Sequence, residues 1–351
     1  MMNAVVSNIL AQGTAEDYLI CSPDNVRYVT GFSGHDSQVL VTARGAQLFT
    51  DSRYAEQAKK DVGPDVAVQV TTREERYPAI RDALYADRPV LLGIEEDYIT
   101  VADFGRLKNE LGVHSFVDIS EMLLELRSVK TQQEIDLIAT ACRATEEVLE
   151  AVLPHIGTGV SEFDIRARLY YEMSIRGMDS AFEPIVAGGP NSAIPHATTT
   201  SYKLQEGDML TLDFGCRFQG YCSDITRTFA IGRVDAKLKT IYDIVEQAQK
   251  RALDTAEIGI SAAKVDSAAR RFIQKKGYAE NFGHATGHGV GLQIHELPLI
   301  SAASKAVIAE GNVFTIEPGI YVEGLGGVRI EDTCVAGIGS LYTFPKDLIV
   351  L

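Results

Sequence analysis

The chain has 351 residues, a length typical of about two domains. Its 33 basic and 48 acidic residues give a net charge of −15 at pH 7, which argues against electrostatic binding of nucleic acid or of an anionic membrane. A hydrophobic content of 46% is that of a globular chain and excludes a mostly disordered or fibrous protein.

The sequence also predicts the compartment. It contains no apolar run of about 18 residues, so no membrane-spanning helix is expected. The first residues lack a basic segment followed by a long apolar one, so no secretory signal peptide is expected. Five scattered cysteines form no CxxC motif, and we interpret them as reduced thiols: Cys21, Cys142, Cys216, Cys222 and Cys334. These features predict a cytoplasmic protein.

Residues 1–125 are predicted to form an α/β domain. Three short apolar or β-branched runs bounded by Asp, Gly or Pro are predicted strands: DYLICS at 17–22, AQLFTDS at 46–52 and PVLLGIE at 89–95. The segments from Tyr54 to Val62 and from Glu74 to Tyr85 are predicted helices. The glycine-rich VTGFSGH at 29–35 is predicted to be a loop.

A second domain is predicted over residues 126–351, because the pattern changes near Glu125. Thr131 and Glu134 have the spacing of a capping box, and apolar residues at helical spacing follow as far as Val152. Pro154 then ends this helix. A second helix is predicted from a serine cap at 161 to about residue 176, before a glycine at 177.

The second domain contains an internal duplication. Strand-like segments at 184–189, 208–216 and 221–232 follow the first two helices. Two further helices, from Asp235 to Ala256 and from Ser261 to Lys276, then precede another predicted hairpin. The two units start about 104 residues apart, too far for a solenoid repeat. We expect them to pack face to face with both hairpins at the centre.

The first hairpin is predicted to present an acidic pair. A four-residue turn at 217–220 would pair Cys216 with Tyr221 and, in the same register, Asp213 with Asp224. Side chains that face each other directly in this way have Cβ atoms roughly 5 Å apart. Two facing carboxylates destabilise a sheet unless one is protonated or a cation lies between them.

The second hairpin is predicted to do the same. A three-residue loop at 323–325 pairs Val322 with Gly326 and places Glu317 opposite Glu331. Four converging carboxylates are best explained by divalent metal, and by two ions better than by one.

The nitrogen ligand for such a site is predicted to come from NFGHATGHGVGLQIHE at 281–296. His284, His288 and His295 lie there on a glycine-rich segment of loop and short strand. The spacing of the first two also occurs in zinc-binding helices, but the surrounding glycines exclude a helix. Oxygen ligands with one histidine suit Mn²⁺ or Co²⁺, and Zn²⁺ remains an alternative.

These segments resemble the metallopeptidase family with the pita-bread fold, which includes methionine aminopeptidase, prolidase and aminopeptidase P. The resemblance covers about residues 126–351 and is carried by PHA at 195–197, LDFG at 212–215, SDITRT at 223–228, GHATGHGVGLQIHE at 283–296, TIEPGIY at 315–321 and VRIED at 328–332. The first domain is similar to the N-terminal domain of the prolidase and aminopeptidase P branch, through NVRYVTGFSG at 25–34 and TDSRYAEQA at 50–58.

The resemblance implies a ligand set for two metal ions. Asp213 would be a terminal ligand of one ion, and Asp224 and Glu331 would bridge the two. His288 and Glu317 would complete the coordination of the second ion. A hydroxide that bridges the ions would attack the scissile carbonyl, since metal lowers the pKa of bound water.

The resemblance also assigns the remaining catalytic and binding roles. Glu317 would shuttle the proton, and His295 and His196 would hydrogen-bond the substrate and the tetrahedral oxyanion. His284 would line the pocket beside the proline. The last two residues, Tyr321 and Arg329, would support the site from behind the ligands.

Within this family, the sequence favours a dinuclear-metal Xaa-Pro aminopeptidase that acts on peptides with Pro at the second position. A dipeptidase needs a cation for the C-terminal carboxylate of its substrate, and some prolidases place an Arg shortly after the HE pair. Here that position is Leu299. Prolidase activity remains an alternative, because Arg53 or an arginine of a partner subunit would also serve. As in relatives, a homodimer is expected, with the N-terminal domain shaping the partner's site.

A non-catalytic binding protein on the same fold is a further alternative. The family includes non-catalytic binding proteins and a metal-independent creatine-hydrolysing branch, but both have lost metal ligands that this sequence retains. A Rossmann dehydrogenase is disfavoured because no GxGxxG motif follows a strand.

Overall fold

The computed structural model describes residues 4–84 and 91–351. The chain divides into two compact units, Met1–Arg127 and Ser128–Leu351. The predicted change near Glu125 falls just before this division. No helix within the described ranges combines the length and the apolar character needed to cross a lipid bilayer. The five cysteines are free thiols.

The first unit is built on a six-stranded mixed sheet with strand order β4-β3-β2-β1-β5-β6. Its strands are β1 Asp17–Ile20, β2 Gln38–Thr42, β3 Gly45–Thr50, β4 Val66–Val70, β5 Leu91–Ile94 and β6 Ser115–Asp118. Its helices are α1 Ala4–Gln12, α2 Pro23–Thr30, α3 Ala55–Asp61, α4 Arg76–Ala83, α5 Val101–Leu111 and α6 Ser120–Ser128.

The sheet of the first unit has an apolar core on each face. Tyr18 and Ile20 of β1 pack into one buried cluster, whereas Leu19 between them packs into another. This alternation is the two-residue period of a strand that is buried on both faces.

The predicted elements of the first unit are confirmed where the structure describes them. Strands β1, β3 and β5 and helices α3 and α4 form as expected, and Tyr85, Pro89 and Val90 lie outside the described residues. The predicted loop is wrong at its start, because Val29 and Thr30 still belong to α2. The helix ends at Gly31, whose φ of 77° is the left-handed conformation that suits glycine.

The second unit contains the four predicted helices: α7 Gln132–Val152, α8 Glu162–Ile175, α9 Ala236–Thr255 and α10 Ala262–Lys275. Thr131 and Glu134 form the predicted capping box, in which each side chain bonds the backbone N–H of the other residue. Gly177 and Gly277 follow α8 and α10 with φ of 68° and 90°, as expected for residues just past a helix end.

An eight-stranded sheet lies at the centre of this unit, in the order β14-β13-β15-β18-β12-β9-β8 with β19 paired to β18. The strands of the unit are β7 Asp179–Ser180, β8 Ile185–Gly188, β9 Met209–Phe214, β10 Cys216–Phe218, β11 Tyr221–Cys222, β12 Ile225–Ala230, β13 Gly287–Gly289, β14 Glu296–Ile300, β15 Val313–Ile316, β16 Gly319–Val322, β17 Gly326–Arg329, β18 Glu331–Val335 and β19 Gly339–Ser340.

Both repeated hairpins are at the centre, as expected, but they do not pack face to face. Their edges pair through antiparallel strands β12 and β18, which makes one continuous sheet of the two repeats. An edge-to-edge arrangement satisfies the backbone groups that two stacked hairpins would leave exposed.

The helices cover one face of this sheet and leave the other for polar side chains. Leu212 and Phe214 of β9 pack with α7 and α8, and Phe314 and Ile316 of β15 pack with α9 and α10. Because strand residues alternate between faces, Asp213 between the first two must lie on the opposite side.

Candidate metal centre

The first hairpin has a different register from the predicted one. Asp213 pairs with Thr226 rather than with Asp224. The turn is tighter than expected: Phe218 pairs with Tyr221, which leaves a two-residue connection of a glutamine and a glycine with φ of 46° and 85°. Two successive left-handed residues suit a tight hairpin turn. The register shifts by two residues, so both aspartates remain on one face as diagonal neighbours.

The register of the second hairpin is confirmed. Val322 pairs with Gly326 across the predicted three-residue loop. The same register continues beyond the break in the strands, where Ile316 pairs with Asp332. Glu317 and Glu331 therefore lie opposite each other, as predicted.

Four strands place the acidic residues in two adjacent rows on the polar face. Thr226 pairs with Asp213 on one side and with Glu331 on the other. The first row therefore consists of Asp213, Thr226, Glu331 and Glu317. Thr315 pairs with Thr333, and the Thr333 hydroxyl contacts the backbone of Asp224. The second row therefore consists of Asp224, Thr333, Thr315 and His288.

The distances across these rows are those of potential metal ligands. Asp224, His288 and Glu331 each present one ligand atom, and these atoms all lie within 4.8 Å of one another. His288 Nε2 lies 3.6 Å from Asp224 Oδ2 and 3.5 Å from Glu317 Oε1. The cluster combines carboxylate oxygens with one imidazole nitrogen.

Unpaired buried oxygens indicate that this cluster suits cations. Within the described part of the chain, Oδ1 of Asp213, Oδ1 of Asp224 and Oε1 of Glu331 are buried without a hydrogen-bond partner. A buried carboxylate oxygen without a partner is costly, and such atoms in a cluster are the hard donors that divalent ions prefer. The residues present therefore fit divalent metal binding.

Burial and mutual repulsion make the carboxylates hard to ionise without a cation. Burial, followed by the charge of Glu331, holds the pKa of Asp224 well above its usual range. Burial and then Glu317 do the same to the pKa of Glu331. Burial raises the pKa of Glu317 to about 7. Cations between these groups remove the repulsion, so metal binding should release protons at neutral pH.

The raised pKa values predict an unusual pH dependence for the metal-free protein. Between pH 4.5 and 7 the folded state holds a proton on Glu317 that the unfolded state has lost. Glu317 should therefore contribute a loss of stability on the order of 3 kcal/mol as pH rises across this window. The lowered pKa values of His284, His288 and His295 act in the opposite sense, so the measured quantity is the difference in unfolding free energy between the unaltered protein and Glu317→Gln, from urea unfolding in chelator at pH 5, 6, 7 and 8. This difference should shift against the unaltered protein as pH rises, and a difference that is constant or shifts the other way would contradict the contribution of Glu317.

Hydrogen bonding fixes which nitrogen of His288 carries the proton. Its Nδ1 lies 3.0 Å from the carbonyl oxygen of Gly289, so Nδ1 carries the proton. Nε2 then presents a lone pair towards Asp224 and Glu317. Burial lowers the pKa of His288, which keeps the ring in the neutral form that binds metal.

His284 is also neutral, but both of its nitrogens are engaged. Nδ1 donates to the carbonyl oxygen of Ala285 at 2.8 Å. Tyr321 receives a hydrogen bond from Arg329 at 2.7 Å, so its hydroxyl proton is free to be donated to His284 Nε2 at 3.0 Å. Burial lowers the pKa of His284 to about 4. The ring therefore offers its apolar edge, and no ring nitrogen, to a neighbouring molecule.

Arg329 connects this chain of hydrogen bonds to the acidic rows. Its Nη2 donates to Asp213 Oδ2 at 2.6 Å, and its Nε donates to the Thr226 hydroxyl at 3.1 Å. The Thr226 hydroxyl in turn donates to Glu331 Oε2 at 2.5 Å. These contacts orient a carboxylate in each of the two hairpins.

The other two predicted histidines lie at the exposed side of the cluster. The His295 ring packs edge to face against His288, with ring centroids 4.5 Å apart. Burial, followed by the nearby His288 and His196, lowers the pKa of His295. His196 lies on an exposed turn, close enough to Glu317 and His295 to influence both electrostatically.

Sequence analysis missed the threonines between the acidic residues. Thr226 and Thr333 hold the side chain of Glu331 and the backbone of Asp224, and Thr315 lies 3.4 Å from Glu317. Strand alternation was the available signal, because each threonine is two residues from a predicted ligand.

Comparisons with known proteins cover both units. The profile described as metallopeptidase family M24 matches residues 136–337, and that of the creatinase/prolidase N-terminal domain matches residues 6–129. A Pyrococcus furiosus protein named Xaa-Pro dipeptidase is 37% identical over 326 residues, which cover 92% of this chain and 91% of that protein.

Two solved structures share the fold over nearly the whole chain. The X-Pro aminopeptidase from Thermotoga maritima MSB8 has a TM-score of 0.90 and 35% identity, covering 96% of this chain and 98% of that one. The Xaa-Pro dipeptidase from Bacillus anthracis has a TM-score of 0.93 and 35% identity, covering 99% of this chain and 100% of that one.

Proposed function

This chain belongs to metallopeptidase family M24, and on that premise we propose that it is an Xaa-Pro aminopeptidase. It would release the N-terminal residue from peptides with Pro at the second position. The observation that carries this proposal is the cluster of buried, unpaired carboxylate oxygens beside a neutral histidine. A non-catalytic binding protein is disfavoured, because this chain keeps all five predicted ligands and the relatives it resembles are named Xaa-Pro peptidases.

We propose Asp213, Asp224, His288, Glu317 and Glu331 as the ligands of two divalent ions. Asp224, which directly precedes β12, and Glu331, the first residue of β18, lie between Asp213 on one side and His288 and Glu317 on the other. That arrangement suits two shared carboxylates flanked by terminal ligands. Ions bound there would lower the pKa of a water molecule and polarise the scissile carbonyl.

The protein's own residues supply proton transfer and orientation. A carboxyl group whose pKa is about 7, as for Glu317, exchanges a proton readily at neutral pH and suits a proton shuttle. His295 and His196, on the open side of the cluster, would donate hydrogen bonds to the carbonyl oxygen as negative charge develops. His284 would pack its apolar edge against the proline ring.

The proposed preference for peptides longer than two residues rests on which cationic side chains are available to bind the C-terminal carboxylate of a dipeptide. Leu299, on β14, is apolar and half-exposed, and it offers nothing to a substrate carboxylate. The Arg329 guanidinium already bonds Asp213, Tyr321 and the carbonyl oxygen of Pro195. Arg53 is engaged with Asp36 and Asp51. A free C-terminal carboxylate therefore gains little from these three positions, which favours an aminopeptidase, and an arginine from a partner subunit is the route by which a dipeptidase would bind it.

Dipeptidase activity is the second candidate. The Pyrococcus furiosus relative and the Bacillus anthracis structure are both named Xaa-Pro dipeptidases, and each covers more than nine tenths of this chain. Their likeness to this chain is as strong as that of the Thermotoga maritima aminopeptidase.

Three short peptides separate these activities. With metal supplied, we expect Ala-Pro-Ala to be cleaved fastest, Ala-Pro to be cleaved more slowly, and Ala-Ala-Ala to be cleaved hardly at all. Release of free alanine, followed by chromatography, gives the rates. Faster cleavage of Ala-Pro than of Ala-Pro-Ala would establish the dipeptidase instead, and equal rates on Ala-Ala-Ala and Ala-Pro-Ala would refute proline specificity.

We propose Mn²⁺ as the metal, because oxygen donors dominate the ligand set, with Co²⁺ and Zn²⁺ as alternatives. Supplying each ion in turn to chelator-treated protein tests this choice. We also propose a homodimer, and sedimentation of the active protein tests it. A fully active monomer would contradict the dimer.

A further inference from the structure

A buried ion pair lies behind the loop that carries His295. Lys130 Nζ is 3.0 Å from Glu296 Oε2, and each side chain is only 1% exposed. Glu296 directly follows His295 in the sequence. Burying both charges costs several kcal/mol per ion, which the pair recovers only with good geometry and further hydrogen bonds. Such a pair is therefore weak evidence for a role in stability alone.

Lys130 is anchored firmly on its own side. Its backbone N–H donates to the carbonyl oxygen of Gly311 at 2.9 Å, and Val129 forms an isolated antiparallel bridge with Asn312. The Asn312 side chain donates to the carbonyl oxygen of Ser128 at 2.9 Å. These bonds tie the start of the second unit to the segment before β15. The backbone from which the Lys130 side chain extends is therefore held in place.

Glu296, the other member of the ion pair, bonds the backbone of the loop that precedes it. Its Oε1 accepts the backbone N–H of Gln293 at 3.0 Å, and Gly291 N–H donates to the carbonyl oxygen of Gln293 at 3.0 Å. A Cβ atom at Gly291 would lie 2.4 Å from Glu296 Oε2, so the carboxylate occupies space that only glycine leaves. The carboxylate therefore links the irregular segment before β14 to Lys130.

His295 directly precedes the residue that makes this link. Its side chain is exposed, and its ring rests edge to face on His288. The next residue, Glu296, pairs with Gly289 in the sheet, which holds the backbone on the C-terminal side of His295. We propose that Lys130 is a positioning residue that acts through Glu296 to hold His295 over the metal centre. This inference rests on the proposed function, in which His295 contacts the developing oxyanion.

Removing both charges separates positioning from stability. Lys130→Met alone leaves a buried carboxylate unpaired and should destabilise the fold. In Lys130→Met/Glu296→Gln no charge remains buried, and the amide oxygen still accepts the Gln293 N–H, so most of the stability should return. If the pair positions His295, kcat of the double variant should nevertheless stay about 10- to 100-fold below that of the unaltered protein, with KM changed little. Lys130→Arg keeps the positive charge opposite Glu296 and should have a kcat close to that of the unaltered protein.

A His295→Ala background shows whether the effect passes through this histidine. If it does, adding the double substitution to His295→Ala should lower kcat no further. Lys250→Met, which breaks the exposed pair with Asp254, is the matched control and should leave kcat unchanged. Metal content is measured for every variant and should equal that of the unaltered protein.

The outcomes are distinct from those that test the proposed function. Return of kcat together with stability in the double variant, or a further loss in the His295→Ala background, would overturn the positioning role. If the unaltered protein cleaves no Xaa-Pro peptide, the proposed function fails. Hydrogen exchange over 290–296 then decides the structural claim: the double variant should exchange faster than the unaltered protein and Lys130→Arg, and equal rates would refute the link.

Discussion

Asp224→Asn is expected to abolish peptide cleavage while leaving the fold intact. Asp224 lies between the other candidate ligands, with Oδ2 at 3.6 Å from His288 Nε2 and Oδ1 buried without a partner among the described residues. An amide has one neutral oxygen and cannot share charge between two cations. We expect activity to fall by about 100-fold or more, together with loss of bound metal.

In the metal-free protein, Asp224→Asn should raise the thermal stability of the fold. Burial and Glu331 hold the pKa of Asp224 well above its usual range, so the carboxylate opposes folding at neutral pH when no cation is present. Asn at this position removes that repulsion. Metal-free Asp224→Asn should therefore unfold at a higher temperature than the metal-free parent protein at pH 7.5.

Metal analysis, peptide cleavage and thermal unfolding of the metal-free protein check both effects. Asp243→Asn is the matched control, since Asp243 is exposed and pairs with Lys239 on α9. Activity above a tenth of the parent value would contradict the shared-ligand role of Asp224. A lower unfolding temperature in the metal-free state would contradict the repulsion.

Arg227→Met is expected to cost about 3–5 kcal/mol of unfolding free energy. The guanidinium is fully buried and pairs with Asp332 at 2.9 Å. It also donates to the carbonyl oxygens of Glu331, Phe344 and Pro345, which joins β12 to β18 and to the C-terminal segment. Methionine keeps much of the volume but leaves these carbonyl oxygens, that of Thr226 and a buried carboxylate without this donor.

Urea unfolding with metal present measures this loss. Lys239→Met, which breaks the exposed pair with Asp243, is the control and should change stability by less than about 0.5 kcal/mol. A loss below 1 kcal/mol for Arg227→Met would mean that Lys346, which also bonds Asp332, compensates for the missing guanidinium. The idea that Arg227 holds the two repeats together would then be wrong.

Features with local causes were predictable from the sequence. The helices beginning after Thr131 and Ser161 start at their predicted caps, and Gly177 and Gly277 follow where helices end. A helix is predictable in this way because its hydrogen bonds and caps join residues only three or four positions apart.

Hairpins were partly predictable. The register beyond Val322 followed from loop length, whereas the register of the first hairpin was missed because Gln219 adopts a left-handed conformation that its residue type does not signal. The predicted register of the first hairpin differs from the observed one by two residues, and an even shift keeps each side chain on its face of the sheet. The prediction that Asp213 and Asp224 share a face therefore survived a wrong pairing.

Short strands were harder to predict. β4 and β6 are edge strands with several exposed residues, and β13 has three residues of which two are glycine. Such segments carry little alternation and pair because of their neighbours in the sheet.

The sequence by itself determined which residue types are available for the chemistry, which face of each hairpin carries them, and the duplication that supplies two acidic pairs. Only the tertiary structure decided that β12 pairs with β18, which brings Asp224 of one repeat to Glu331 of the other. It alone also brought Lys130 to Glu296, 166 residues away. Such contacts depend on the packing of the whole unit, because their energy is gained only after the intervening chain has been ordered.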